Sequence, residues 1–83
     1  MICKKRFVKK LRDLKFSFKN RTKSERQELY MRGIVPIYVP RQDEILPQLV
    51  FAELRKAGLS DEDAKAFIED KKNWPEREQQ EKS

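Results

Sequence analysis

Apolar residues in the first third of the chain recur with a helical period. Cys3, Phe7, Leu11, Leu14 and Phe18 follow one another at spacings of 4, 4, 3 and 4, and Val8 widens the stripe. Such spacings bring side chains to one face of an α-helix. Lys4, Lys5, Lys9, Arg12 and Lys15 lie on or near the other side, and the pattern predicts a helix to about residue 14. From Leu14 to Lys19 apolar and polar residues alternate, a period of two that suits a strand, so residues 15–19 fit either element.

A break follows at Asn20, and the next residues read as a helix start. Thr22-x-x-Glu25 and Ser24-x-x-Gln27 both fit the capping box, in which a hydroxyl accepts an orphan amide proton and the later side chain reaches back. A helix over residues 23–32 is predicted, with Leu29, Tyr30 and Met31 on its apolar side and Gly33 as the residue that ends it at positive φ. Residues 34–40 are the least helical part of the chain. Their β-branched residues favour extended geometry, and Pro36 and Pro40 push their predecessors out of the α region and exclude a central strand. The segment reads as an extended connector over the core, or as an edge strand pairing with residues 15–19 or with a partner's sheet.

Residues 43–57 read as the central helix, with Ile45, Leu46, Leu49, Val50, Leu54 and Ala57 on one broad face and Pro47 in its first turn. Gly58-Leu59 suits a Schellman ending. Ser60-Asp61-Glu62-Asp63 opens a last helix whose acids complement the positive end of its dipole. Ala64, Phe67 and Ile68 face inward, Trp74 closes the core and Pro75 ends it, while residues 76–83 contain nothing apolar and read as a disordered polar tail. The expected fold is mainly α: three to four short helices around one small core of Leu29, Ile37, Leu46, Leu49, Val50, Leu54, Phe67 and Ile68, with Trp74 at its edge. The expected organisation is a basic helical segment at 1–21, a helical core at 22–75 and the tail at 76–83.

Length and composition narrow the class. A chain of 83 residues forms one domain and buries only roughly 60–65% of its unfolded surface. With no His and a single Cys, it lacks the commonest general base and metal ligand and has no intrachain disulfide. Its two glycines are 25 residues apart, so there is no glycine-rich phosphate loop. No apolar run is long enough to span a bilayer and no secretory leader is visible, which makes the cytoplasm the default compartment. Neither an enzymatic activity nor a cofactor, metal or small-molecule substrate is expected. Asp61, Glu62 and Asp63 sit where helix-capping acids belong.

Charge is distributed unevenly. Residues 1–32 hold 12 Lys/Arg against the three acids Asp13, Glu25 and Glu28, a net of +9, whereas residues 33–83 hold 8 against 11, a net of −3. The pair of helices joined by Gly58 has the outline of a helix-turn-helix, but the second opens with carboxylates, which phosphate repels. The basic segment is the better candidate. Lys4, Lys5, Arg6, Lys9, Lys10, Arg12, Lys15, Lys19, Arg21 and Lys23 are suited to backbone phosphates, and Phe16, Phe18 or Tyr30 to base stacking.

The expected function is that of a small regulatory protein binding DNA or RNA through this segment. A second possibility is an inhibitor or adaptor docking on a larger or acidic protein surface through the Phe7/Leu11/Leu14/Phe18 stripe and the 34–39 segment. A third is peripheral binding to anionic membrane. Lys4-Lys5-Arg6-Phe7 and Phe16-Ser17-Phe18-Lys19 locally resemble the basic-aromatic effector segment of the myristoylated alanine-rich C-kinase substrate. The likeness is one of shared physics rather than of family, and Ile2 offers no myristoylation site.

Overall fold

The computed structural model describes residues 1–21 and 26–79. Strand β1 (Ile2–Cys3) leads into helix α1 (Lys4–Asp13), followed by β2 (Ser17–Arg21), β3 (Gln27–Arg32), β4 (Val35–Pro40) and β5 (Glu44–Ile45). Helices α2 (Pro47–Lys56) and α3 (Asp61–Glu69), a 3₁₀ turn (Lys71–Asn73) and the short α4 (Glu76–Gln79) complete the chain. Two antiparallel sheets, β1-β5 and β2-β3-β4, correct the expectation of a mainly α fold. Residues 27–32 are the central strand of the larger sheet rather than the end of a helix. The capping residues proposed to start that helix, 22–25, lie outside the described residues.

The register explains why the strand was hidden. Tyr30 pairs with Phe18 and Ile37, and Glu28 with Arg21 and Val39, on the face toward the core. Leu29 pairs with Asn20 and Tyr38, and Met31 with Ser17 and Pro36, on the outer face. Both faces of β3 are apolar at their centre, so Leu29-Tyr30-Met31 runs on without the alternation by which a half-buried strand is recognised. Gly33 has φ 63° and opens the two-residue β3–β4 loop, a turn with positive φ at its first position. It turns a hairpin instead of ending a helix.

Within residues 34–40, Val35–Pro40 form an edge strand, but its partner is β3 and not residues 15–19, which form a turn and then the start of the opposite edge. The backbone amides of Pro36, Tyr38 and Pro40 occupy the side of β4 away from β3. The prolines have no proton to offer, and the Tyr38 N–H is donated to Glu53 Oε1 at 3.2 Å. Edges left with open donors are templates for pairing with another chain, and β4 presents none at these positions. This removes the basis for strand addition there by a partner.

The helices end as their sequences dictate. α1 and α2 both close with Schellman motifs. Phe16 N–H bonds Leu11 O at 2.9 Å and Lys15 N–H bonds Arg12 O at 2.9 Å, while Leu59 N–H reaches Leu54 O at 3.1 Å and Gly58 N–H reaches Arg55 O at 3.0 Å. Ser60 Oγ accepts the Asp63 amide at 3.1 Å and caps α3. Pro47 stands in the first turn of α2, where its missing N–H has no partner to lose.

The core draws on the whole described chain. Ile2, Phe7, Val8 and Leu11 meet Phe16, Tyr30, Ile37 and Val39 from the sheet side, and Ile45, Val50, Leu54, Ala57, Leu59 and Ala64 from the C-terminal half. Of the predicted core residues, Ile37, Val50 and Leu54 are buried, and Leu49, Phe67, Ile68 and Trp74 pack against it. Leu46 is 53% exposed because it lies outside the first turn of α2, and Leu29 belongs to the outer sheet face. The boundary expected at residue 21 therefore does not separate a basic arm from a core. α1 is part of the core, its Phe7 and Leu11 each contributing about 2 kcal/mol of apolar transfer.

The expected disorder does not extend to residues 76–79. Arg77 grips the Glu44 carboxylate with two bonds of 2.7 Å and holds its pKa below the ordinary value, and the chain's terminal ammonium meets Glu78 Oε1 at 3.2 Å. Residues 80–83 lie outside the described part. Among the described residues no helix is long and apolar enough to cross a membrane.

Candidate nucleic-acid interface

With Phe7, Val8 and Leu11 turned inward, α1 directs Lys5, Lys9 and Arg12 outward at spacings of 4 and 3, with Lys10 partly exposed beside them. Lys5 lies in the first turn, where the helix dipole adds to its positive potential. Beyond the Schellman turn, β2 carries Lys19 and Arg21, and all five of its residues are exposed. Lys15 stands at the turn itself with φ 74°. Lys5, Lys10, Arg12, Lys15, Lys19 and Arg21 have no ion-pair partner among the described residues. Lys9 approaches Asp13 at 3.8 Å, with both side chains well exposed, a pair worth less than about 0.5 kcal/mol.

Other predicted contacts are already engaged within the protein. Lys4 Nζ donates to Glu28 Oε2 at 2.9 Å, and Glu28 Oε1 accepts from the Tyr30 hydroxyl at 3.3 Å. These three side chains, with Cys3, Lys5, Asp43 and Glu44, line a cleft of about 610 Å³. Its three carboxylates outnumber its two lysines, which makes it a poor seat for an anion. Arg6 Nε donates to the Lys72 carbonyl at 3.1 Å and ties α1 to the 3₁₀ turn. Lys23 lies outside the described residues.

The aromatic set shrinks further. Phe16 is 2% exposed, with the Arg32 guanidinium 4.6 Å above its ring, while Arg32 also donates to Leu14 O and Ala57 O at 2.9 Å each. Tyr30 is buried, and burial followed by the Glu28 charge and hydrogen bond raises its pKa, with Arg12 opposing. Neither ring can take a base. Phe18 remains: it is 50% exposed, and its ring stands edge-on to Tyr30 at 5.6 Å between centroids. A period of two puts Phe16 and Phe18 on one face, so nothing in the alternation of residues 14–19 marks this difference.

Comparison with family models, curated proteins and solved structures finds no match for this chain. Its function must be argued from its own surface. The stripe that suggested a groove-docking partner is largely occupied inside the protein, with Phe7 and Leu11 fully buried and Leu14 packed against the core. Asp61, Glu62 and Asp63 fall in the first turn of α3, where Ser60 makes the cap and Asp61 pairs with Arg55 at 2.8 Å. Among the described residues no three His, Cys, Asp or Glu side chains gather as a metal site.

Proposed function

We propose that this protein is a non-enzymatic regulatory module that binds nucleic acid, chiefly through backbone phosphates, along the exposed side of α1 and along β2. One observation carries the reading: six cations without ion-pair partners among the described residues follow one another on these two elements and the turn between them, from Lys5 to Arg21. Counterion release from phosphates favours such a surface. Phe18, between Lys15 and Lys19 in sequence and half exposed, supports stacking of an unpaired base. Phosphate contacts position a ligand without reading its sequence, so discrimination among sequences is weak.

The test is fluorescence anisotropy with labelled single- and double-stranded DNA and RNA over a range of salt. If four of the six cations reach phosphates, the log–log salt slope on duplex DNA is about −4. The variant to compare carries Lys5→Glu, Lys9→Glu, Lys10→Glu and Arg12→Glu, which spares the tertiary contacts of Lys4 and Arg6. Loss of binding with an unchanged far-ultraviolet circular dichroism spectrum is expected. Undiminished binding by the folded variant overturns the assignment.

A further inference from the structure

Phe18 and Arg21 stand an odd number of residues apart in β2, and an unbroken strand sends such a pair to opposite faces. Here they share one. Phe18 pairs with Tyr30 and Arg21 with Glu28, both on the core side, because the register shifts between Phe18 and Asn20 and leaves Lys19 as an extra residue. A bulge of this kind re-aims the side chains beyond it, and bulges are frequent at sheet edges and beside functional sites. Arg21 is thereby turned to the side of the sheet on which α1 packs, where Lys4 already holds Glu28. The helix leaves β2 uncovered: every residue of that strand is exposed, and Phe18 is outside the core cluster. From α1, Arg12 stands close enough to Tyr30 to oppose the rise in its pKa, and the Tyr30 ring is the one that backs Phe18.

The Phe18 ring is also open in a way that other rings are not. Arg32 stands over Phe16, Lys56 over Tyr38 and Lys71 over Trp74. Among the described residues no cation stands over Phe18, and its edge-on contact with Tyr30 uses at most one face. A bare aromatic face among cations is the platform on which single strands stack their bases.

We infer that the ligand is single-stranded nucleic acid lying between α1 and β2, one unpaired base stacked on Phe18 and the neighbouring phosphates on Arg12, Lys15 and Arg21. This rests on the nucleic-acid reading above and adds the strand type and the residue that selects it. A duplex keeps its bases stacked on one another and must open to present one, at an unstacking cost. It can therefore use the cations but not the ring. Phe18 strengthens binding of a single strand alone, and every base of DNA or RNA offers it the same π face.

Anisotropy titrations at one fixed salt concentration test it, with labelled single strands of DNA and of RNA against duplexes of equal length. The wild type should bind the single strands more tightly. Phe18→Ala and Phe18→Leu should each lose at least about fivefold on single strands and keep their duplex affinity, with the salt slope unchanged because no charge is removed. Phe18→Tyr, which keeps the ring, should retain single-strand binding. Leucine preserves the apolar bulk without a π face, so its loss separates stacking from packing, and retained duplex affinity reports a folded surface. The wild type's own preference stands as a second measurement that no unfolded variant can distort. Equal or tighter binding of duplex by the wild type overturns the inference, as do losses shared equally by both forms or full retention by the alanine and leucine variants. Binding that the four α1 charge reversals abolish but that ignores strand type leaves the nucleic-acid reading standing and removes this inference alone. Absence of binding to either form removes both.

Discussion

Glu53 on α2 accepts the Tyr38 amide at 3.2 Å, filling the one donor position between two prolines on the free side of β4. The same carboxylate meets Lys56, which in turn stands over the Tyr38 ring at 5.8 Å. One helix turn thereby both docks on the sheet and closes its edge. Glu53→Ala should lower stability by about 1 kcal/mol, the scale of one net hydrogen bond, read as the urea midpoint. It should also raise light scattering near the unfolding transition, because an open amide invites strand pairing. Glu53→Gln keeps an acceptor and should lose less than half as much. Equal midpoints for all three proteins would remove Glu53 from this role.

What could be read from the sequence was what neighbours in sequence decide. The Ser60 cap, the Gly58 ending and Pro47 in the first turn of α2 depend on residues within one helical turn, and each forms as read. The strand at 27–32 could not be read, because its two apolar faces erase the period that marks a strand. A capping-box pattern upstream then favoured a helix. Cation density was legible in the candidate site, but its division was not. Lys4 is taken by Glu28, 24 residues away, and Arg6 by the Lys72 carbonyl, 66 residues away. Likewise α1 showed its apolar stripe plainly while giving no sign that Phe7 and Leu11 would face the protein's own core.

Tyr30 sets a pH dependence with a definite sign. Burial first, then the Glu28 charge and hydrogen bond, raise its folded pKa above the ordinary value of 10.0. The folded state therefore keeps the phenolic proton to higher pH than the unfolded chain does. This contribution to stability is complete below the unfolded value and is lost as pH rises through the folded one. Urea midpoints should be flat below about pH 9.5 and fall above it, after allowance for lysine titration. Tyr30→Phe, which has no phenol to ionise, should show a shallower fall, and Tyr30 should titrate late in the 295 nm absorbance. Identical slopes for the two proteins would contradict the burial of a protonated phenol there.

Lys15 ties strain to the proposed site. It is the one non-glycine residue with positive φ among those described, at 74°, in the position where a Schellman motif favours glycine. A β-carbon in this conformation costs roughly 1 kcal/mol, and α2 ends the same motif with Gly58. A lysine held against that preference at the junction of α1 and β2 supplies a charge between Arg12 and Lys19 that glycine cannot. Lys15→Gly should gain about 0.5–1 kcal/mol in urea unfolding, the relief of strain being partly offset by the freer unfolded chain. It should also weaken nucleic-acid binding and reduce the magnitude of the salt slope by about one. Lys15→Ala removes the charge and keeps the strain, so it should show the same reduced slope without the gain in stability. Stability and affinity then move in opposite directions in the glycine variant and separately in the alanine one. A glycine variant that gains stability and keeps its full slope would take Lys15 out of the phosphate-binding surface.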